Sequence, residues 1–313
     1  MKVLATYNIK GGVGKTSTAV NLAYLAAREG QRTLLWDLDP QAAATFLFRV
    51  RPRVKGGGRA LVTRKRPLDA AIKATDFENL DLLPADFSYR NMDLELDDTK
   101  KRTRRLGQLL GSVADDYDIA FLDCPPSISL VSENVLHASD TLLVPLIPAT
   151  LSLRTFDQLT RFVADSQDDP PEVVAFFSMA DRRKRLHRDV IDEISRQHTR
   201  IADTVVPSLS VIEQMAEHRA PVPAFAPTSR AARCYEQLWA EVRPLCATRS
   251  CSRPAAFCGA ATRCRRKWPW CIGRGTTTGP CPRAKPSPGN TCWSRLFGRC
   301  RRRRVTSFGS ARG

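Results

Sequence analysis

The sequence predicts an α/β fold in which a mainly parallel sheet is covered by helices on both faces. Short apolar runs of strand length alternate with longer segments of helical period, and this alternation is typical of βαβ units. A glycine-rich segment separates the first apolar run from the first helical segment. Because ligands of open parallel sheets bind at the carboxyl ends of the strands, we expect the functional residues at that edge.

Each predicted element follows from this alternation. Six apolar runs are predicted strands: Lys2–Tyr7, Arg32–Trp36, Leu80–Leu83, Asp118–Leu122, Thr141–Leu146 and Val173–Ser178. Six segments with a helical apolar period are predicted helices: Thr16–Glu29, Thr103–Ala114, Leu130–Ala138, Leu153–Ser166, Lys184–Gln197 and Arg230–Val242. The segment 49–66, rich in Lys, Arg and Gly, interrupts the pattern and is predicted to be a mobile basic surface loop.

The 313-residue chain has a formal net charge of +17, and the excess charge lies at one end. Residues 247–313 contain 16 Lys and Arg and no Asp or Glu, which leaves 33 basic and 32 acidic residues in 1–246. We therefore divide the chain into a nearly neutral domain, 1–246, and an Arg- and Cys-rich basic tail, 247–313.

The composition of the tail suggests three interpretations. Enrichment in Arg, Cys, Trp, Gly and Pro without acids is what a GC-rich gene yields when read out of frame, so a frameshifted or otherwise non-native end is preferred. A disordered basic tail that binds nucleic acid is the second interpretation. A zinc-binding module has weak support, because the tail cysteines show no C-x2-C spacing and the tail has no histidine.

The amino terminus enters the first predicted strand directly and leaves no room for the charged and apolar regions of a signal peptide. No apolar run approaches the roughly 20 residues that a membrane helix needs. We therefore expect a cytoplasmic protein with no membrane partner, in which thiols stay reduced.

The glycine-rich segment, Lys10–Ser17, stands between a strand and a helix, which is the context of a phosphate-binding loop. Glycines let backbone N–H groups turn towards phosphates, and the following helix directs its positive end at them. We expect the Lys15 amino group to reach the β- and γ-phosphates and the Thr16 hydroxyl to bind Mg²⁺. The predicted nucleotide-binding residues are Lys10, Gly11, Gly12, Val13, Gly14, Lys15, Thr16 and Ser17.

Two aspartates that follow predicted strands are further candidates. Asp123 ends an apolar strand, where its carboxylate can hold a Mg²⁺-bound water beside the loop. Asp39 lies just past the second strand, where it can orient or deprotonate the attacking water. Helix capping is the structural alternative for either aspartate.

The loop departs from the ordinary form G-x-x-x-x-G-K-[ST], because Ile9 replaces the first glycine and a second lysine, Lys10, follows it. With this signature, residues 1 to about 245 resemble the ParA/MinD family of deviant Walker A ATPases. The likeness extends to two segments that resemble the family's switches. Their residues are Asp37, Asp39, Pro40 and Gln41 in the first, and Asp123, Pro125 and Pro126 in the second.

The resemblance, which favours the partition branch of the family, implies a Mg²⁺-dependent ATPase that forms a homodimer when ATP is bound. In the family, the lysine matching Lys10 crosses to the partner subunit's ATP, where a cation can stabilise the transferring phosphoryl group. Lys10, Lys15 and Asp39 are therefore the predicted catalytic residues. The partition branch also implies chromosome or plasmid segregation, non-specific DNA binding on the nucleoid, and a centromere-binding or other ATPase-stimulating partner.

A basic cluster at the start of a predicted helix is the candidate DNA surface. Its residues are Arg182, Arg183, Lys184, Arg185 and Arg188. Cations in a first helical turn oppose the helix dipole, which suggests a use for them, and phosphate contacts would supply one. A solvated basic face is the alternative. Partition proteins often carry arginines after the proline matching Pro207, whereas this chain has Ser208-Leu209-Ser210-Val211.

Functions other than partition remain open for an ATPase of this family. The main alternative is a MinD-like spatial regulator, or another cargo-positioning ATPase whose output is not DNA, although the tail has no apolar stripe for a membrane surface. An iron-protein-like electron carrier would need a cysteine pair shared across the dimer. Cys124 alone is better explained as a small packed residue.

Overall fold

The computed structural model describes residues 1–166, 170–197 and 201–247, so the predicted tail lies outside the described residues except for Ala247. The described strands form one eight-stranded sheet: β1 (Lys2–Thr6), β2 (Thr33–Asp37), β3 (Lys73–Ala74), β4 (Leu80–Leu83), β5 (Ile119–Asp123), β6 (Thr141–Leu146), β7 (Glu172–Ala180) and β8 (Ile201–Pro207). Their order is β3-β4-β2-β5-β1-β6-β7-β8, and within it β3 alone is antiparallel to its neighbour. This mainly parallel sheet confirms the predicted fold class.

Helices cover both faces of the sheet. Those in the described residues are α1 (Lys15–Arg28), α2 (Ala43–Leu47), α3 (Gly57–Val62), α4 (Met92–Asp97), α5 (Arg105–Leu110), α6 (Leu130–Ala138), α7 (Thr150–Ser166), α8 (Arg185–Gln197), α9 (Ser210–Glu213), α10 (Met215–His218), α11 (Val222–Phe225) and α12 (Arg230–Ala247). Single 3-10 turns lie at Asp69–Ala71, Phe87–Asn91 and Gly111–Val113.

Two apolar cores lie on opposite faces of the sheet, because successive side chains of a strand point to opposite sides. In β5, Leu122 packs in the core beneath α4 to α7, whereas Phe121 packs in the core beneath α1 and α12. Trp36 anchors the first core and Trp239 the second. Burial on both faces explains why the central strands are apolar throughout rather than alternating with polar residues.

The segment 49–66 is folded, so its prediction as a mobile loop was wrong. It contains α3, and Val54, Leu61 and Val62 are buried in the core beneath α4 to α7. Two backbone N–H groups anchor it to the 3-10 turn that follows β4: Val54 N donates to Asp86 Oδ2 at 2.7 Å and Gly58 N donates to Ser88 Oγ at 2.8 Å. The many cations concealed this short apolar pattern in the sequence.

The predicted helix Thr103–Ala114 is shorter in the structure, because the buried side chain of Asn134 fixes where α5 begins. Asn134 Oδ1 accepts hydrogen bonds from the backbone N–H groups of Arg105 at 2.8 Å and Leu106 at 3.1 Å. Its Nδ2 donates to the carbonyl oxygens of Leu130 and Arg102. One amide of α6 therefore satisfies polar groups at the start of α5, a region where helical N–H groups lack intrahelical partners.

We expect Asn134→Ala to lower the free energy of unfolding by about 2–3 kcal/mol, because it leaves several buried polar groups without partners. Urea unfolding followed by circular dichroism measures the loss. The exposed Gln237→Ala is the control, for which we expect a change within about 0.5 kcal/mol. Equal stability of the two variants would contradict the anchoring role of Asn134.

Candidate functional site

The carboxyl ends of three adjacent strands bring polar side chains to one level of the sheet. In the strand register, Thr6 of β1 and Asp37 of β2 both pair with Asp123 of β5. All three residues are fully buried. The phosphate-binding loop leaves β1 beside them and runs directly into α1. The structure therefore brings the predicted loop and both predicted switches to the same edge.

The loop adopts a conformation that requires glycine at two positions. Gly12 and Gly14 have φ values of 69° and 92°, in the left-handed region that side chains disfavour. A Cβ at Gly14 would also lie 2.8 Å from Ser178 Oγ of β7. Lys15, the first residue of α1, follows directly, so the loop ends at a helix amino terminus, where anions are favoured.

The two lysines of the loop have opposite environments. Lys15 is buried, burial lowers the pKa of its amino group, and its Nζ donates to the Lys10 carbonyl at 3.0 Å. Lys10 is exposed, and its side chain forms no ion pair with any residue that the structure describes. The Lys10 backbone is nevertheless fixed, because its N–H also donates to Asn8 Oδ1 at 2.9 Å. The Lys10 backbone is thus held in place while its side chain is exposed.

Asp123 fits a role in holding a metal-bound water. Its Oδ2 is buried and accepts no hydrogen bond of good geometry, although the Thr16 hydroxyl lies close enough to lower the carboxyl pKa. Burial, followed by repulsion from Asp37, raises that pKa well above its ordinary range. A buried carboxylate oxygen without a donor needs a compensating partner, and a magnesium ion with its waters satisfies that need.

Asp37 anchors the first switch. Its Oδ2 accepts from Thr45 N at 2.8 Å and from Thr45 Oγ1 at 2.7 Å, and its Oδ1 accepts from Asp39 N at 3.2 Å. Burial raises the pKa of Asp37 to about 6. Since Thr45 lies in the first turn of α2, Asp37 satisfies a helical N–H group that would otherwise lack a partner.

Asp39, by contrast, is half-buried, so part of its side chain is accessible. Its Oδ1 accepts from the backbone of Gln41 at 2.9 Å, which closes the turn formed with Pro40. The residue that caps α2 is Ala42, so helix capping does not account for Asp39. Asp123 ends β5 and is likewise not a helix cap.

The second switch lies against the loop. Pro126 is exposed, and a Cβ at Gly11 would lie 3.9 Å from its ring. Tyr7 Oη donates to the Ser127 carbonyl at 2.7 Å, which ties the switch to the strand that precedes the loop. Cys124 is buried, and burial raises the pKa of its thiol well above its ordinary range. This environment agrees with the interpretation of Cys124 as a packed residue.

A cavity of about 240 Å³ opens beside the loop and was not anticipated from the sequence. Gly12, Gly14 and Ser17 form one wall, and the opposite wall consists of residues at the ends of β7 and β8: Ser178, Met179, Pro207, Ser208 and Leu209. Met179 has a φ of 54°, unusual for a side-chain-bearing residue and often found at functional sites. In the sequence, a signal existed only for the β7 part of this wall, because the predicted strand Val173–Ser178 ends there.

The basic cluster 182–188 lies at the amino end of α8, and all five of its cationic side chains are exposed. Arg183 pairs with Asp181 at 3.0 Å and holds the pKa of Asp181 at about 2, and Arg185 pairs with Asp189 at 3.4 Å. Arg182 lines a cavity together with Arg230 and Arg233 of α12, which the sequence did not single out.

The parallel sheet, the glycine loop that enters α1 and the strand-end aspartates define a P-loop nucleoside triphosphatase. A family model described as an AAA domain matches residues 1–176. The sporulation initiation inhibitor protein Soj of Bacillus subtilis is 34% identical over 247 residues, which cover 77% of this chain and 98% of that protein. The chain belongs to the ParA/Soj family of partition ATPases, which confirms the resemblance seen in the sequence.

Other comparisons agree with this assignment. The chromosome partitioning protein ParA of Caulobacter vibrioides is 32% identical over 252 residues, covering 77% of this chain and 94% of that protein. Cobyrinic acid a,c-diamide synthase from Mycobacterium smegmatis, solved with a bound ATP analogue and magnesium, superposes with a TM-score of 0.65 at 26% identity, covering 78% of this chain and 94% of that one. None of the described helices has the length and apolar character needed to cross a membrane.

Proposed function

We propose that this chain is an ATP-hydrolysing dimerisation switch of the partition type, acting in chromosome or plasmid segregation and binding DNA without sequence preference when ATP is bound. The observation that carries the proposal is the contrast between the two lysines of the loop. Lys15 is buried beneath the loop, where it serves the nucleotide of its own subunit. Lys10 is held by its backbone and exposed, so its cation is available to a second subunit.

The site offers a place for each part of MgATP. The phosphates lie along Gly11–Ser17 at the start of α1, with Lys15 at the β- and γ-phosphates. The base and ribose occupy the cavity of about 240 Å³ between the loop and the ends of β7 and β8. The relatives named as partition proteins, and the synthase solved with an ATP analogue and magnesium, support MgATP as the ligand.

Thr16 and, through water, Asp123 would hold Mg²⁺, which would supply positive charge to the phosphoryl oxygens. Asp39, on the first switch, orients the attacking water and accepts its proton. The partner subunit's Lys10 stabilises the charge that spreads over the transferring phosphoryl group. Since this lysine comes from a second protomer, a monomer binds ATP but hydrolyses it poorly, and hydrolysis is coupled to dimer formation.

DNA binding rests on the cluster 182–188. Arg183 and Arg185, which form its two ion pairs, are exposed, and ion pairs at the surface contribute little stability, so DNA phosphates can replace the carboxylates at small cost. Arg230 and Arg233, which share a cavity with Arg182, enlarge the positive surface and offset the absence of arginines after Pro207. A dimer doubles the number of phosphate contacts and so steepens the dependence on salt, which explains how ATP can switch DNA affinity.

We expect a chain ending at Cys246 to fold, hydrolyse ATP and bind random duplex DNA in the presence of ATP and Mg²⁺ but not ADP. In this chain, Arg183→Ala with Arg185→Ala should weaken DNA retention and lower the slope of log affinity against log salt by about two units per subunit, since each lost phosphate contact removes about 0.9. Filter retention across a salt series measures both quantities. Removing the tail prevents its 16 cations from masking the effect.

Arg28→Ala with Arg32→Ala is the matched control, because these arginines are also exposed and paired with acids, Glu236 and Asp118. This control should bind DNA like the unsubstituted chain. If the cluster variant keeps its affinity and salt slope, the surface is misassigned. If the unsubstituted chain never binds DNA, ATP-dependent dimerisation controls another activity, such as that of a MinD-like or other cargo-positioning ATPase.

A further inference from the structure

A further concave site lies away from the phosphate-binding loop, between the turn that follows α3 and the helix α5. Its volume is about 640 Å³, within the range of small-molecule sites. Four cations line it: Arg64, Arg66, Lys101 and Arg104. None of its lining residues belongs to the loop, to either switch or to the cluster 182–188. This basic cavity is therefore distinct from the nucleotide site and from the proposed DNA surface.

The positive charge of the basic cavity is not neutralised within the part of the chain that the structure describes. No carboxylate lines the cavity, and none of its four cations forms an ion pair with a described residue. Arg102, close by in sequence but outside the cavity, does have such a partner, since it pairs with Asp97 at 3.0 Å. Crowded like charges repel one another, so this arrangement favours a bound anion.

Several donors in and beside the cavity have unused capacity. Arg64 Nη2 and Arg105 Nη1 both donate to a single neutral acceptor, Gln108 Oε1, at 3.1 and 3.3 Å. Burial, followed by repulsion from Arg64, lowers the pKa of Arg105. Arg66 Nε is buried and has no hydrogen-bond partner among the described residues. Guanidinium groups without a carboxylate are suited to phosphate, whose oxygens accept paired N–H groups.

The shape of the site indicates the size of the anion. Its four cations line one cavity, so several of them can contact the phosphates of a single molecule of nucleotide size. Apolar residues also line the cavity, namely the exposed Pro67 and the largely buried Leu68 and Leu109, and they offer contacts for a sugar or a base. We propose that the basic cavity binds a phosphorylated small molecule of nucleotide size, at a site additional to the ATP site.

The test uses the full chain with saturating ADP and Mg²⁺, so that the loop site is occupied and the tail is present in every arm. Inorganic tripolyphosphate is the probe, titrated by calorimetry. We expect Arg64→Gln with Arg104→Gln to weaken its binding at least about tenfold, because both removed groups make charge-assisted hydrogen bonds to phosphate. Both side chains are exposed, so folding should persist, and thermal unfolding of each variant checks this.

Arg51→Gln with Arg59→Gln is the matched control, since it removes the same charge from exposed positions of the same basic segment outside the cavity. It should bind tripolyphosphate like the unsubstituted chain. Equal loss of tripolyphosphate affinity in both variants would show that binding depends only on the overall charge of the protein, and would overturn the proposal. Absence of tripolyphosphate binding to the unsubstituted chain would also overturn it. The proposal would also be overturned if Arg64→Gln with Arg104→Gln lost duplex DNA retention but kept its tripolyphosphate affinity, because the basic cavity would then be part of a DNA-binding surface.

Discussion

Lys10→Ala is expected to reduce ATP turnover by roughly 10³-fold or more, which is the effect of removing a charge-stabilising cation supplied by a second subunit. Nucleotide affinity should stay within a few-fold, because Lys15 and the loop backbone are unchanged. The Lys10 backbone, not its side chain, makes the contacts that shape the loop. Steady-state phosphate release measures turnover, and binding of a fluorescent ATP analogue measures affinity.

Lys55→Ala is the control, because it removes an exposed lysine from outside the site and should turn over ATP at the unsubstituted rate. If Lys10→Ala hydrolyses ATP at that rate, Lys10 has no part in the chemistry. If it loses nucleotide binding as well as turnover, Lys10 acts within its own subunit, and the contrast between the two lysines has been misread.

Most of the fold was predictable, because the central strands carry a strong and simple signal. Strands buried on both faces read as continuous apolar runs, and Leu80–Leu83 and Thr141–Leu146 have the same limits in sequence and structure. Two strands were missed. Lys73–Ala74 is only two residues long, and Ile201–Pro207 is a partly exposed edge strand with polar residues, so neither forms an apolar run.

The functional site was predictable where chemistry depends on local spacing. The loop and both switches are short contiguous motifs, and the structure places them at one edge. The cavity beside the loop was not predictable, since it joins the loop to Met179 and Leu209 through sheet topology alone. The anchoring role of Asp37 was hidden for the same reason, because its partner Thr45 lies eight residues away across the turn into α2.

The number of charged residues in a segment was the least reliable guide to its structure. The segment 49–66 appeared to be a solvated loop, yet three apolar residues bury it in the core. Fixing that segment in place also positions Arg64 and Arg66 opposite Arg104, which creates the basic cavity. A count of Lys and Arg could not distinguish a solvated cation from one held in a concavity, because the distinction depends on which apolar neighbours are buried.

Asp39→Ala is expected to trap an ATP-bound dimer that hydrolyses ATP at least about 10²-fold more slowly, the usual contribution of a general base. The substitution removes water activation but leaves phosphate contacts, Thr16 and Asp123 intact. Its structural cost is small, because among the residues that the structure describes the Asp39 side chain accepts one hydrogen bond, from the Gln41 backbone. Light scattering with ATP and Mg²⁺ should give the mass of a dimer that persists after free ATP is removed. A monomer with normal ATP binding would contradict this role.

Mixing the Asp39→Ala and Lys10→Ala chains before ATP is added tests both assignments together. In a heterodimer, the Lys10→Ala subunit keeps its own Asp39 and receives Lys10 from its partner, so one of the two sites is complete. Random pairing makes half of the dimers heterodimers, and two nearly inactive proteins should together recover about a quarter of the unsubstituted rate if the lysine acts across a symmetric dimer. If Asp39 and Lys10 both act on the ATP of their own subunit, no recovery is expected, because every site then lacks one of the two residues. Recovery therefore requires that Lys10 and Asp39 act on the ATP of different subunits, and its absence would mean that both act on the same one.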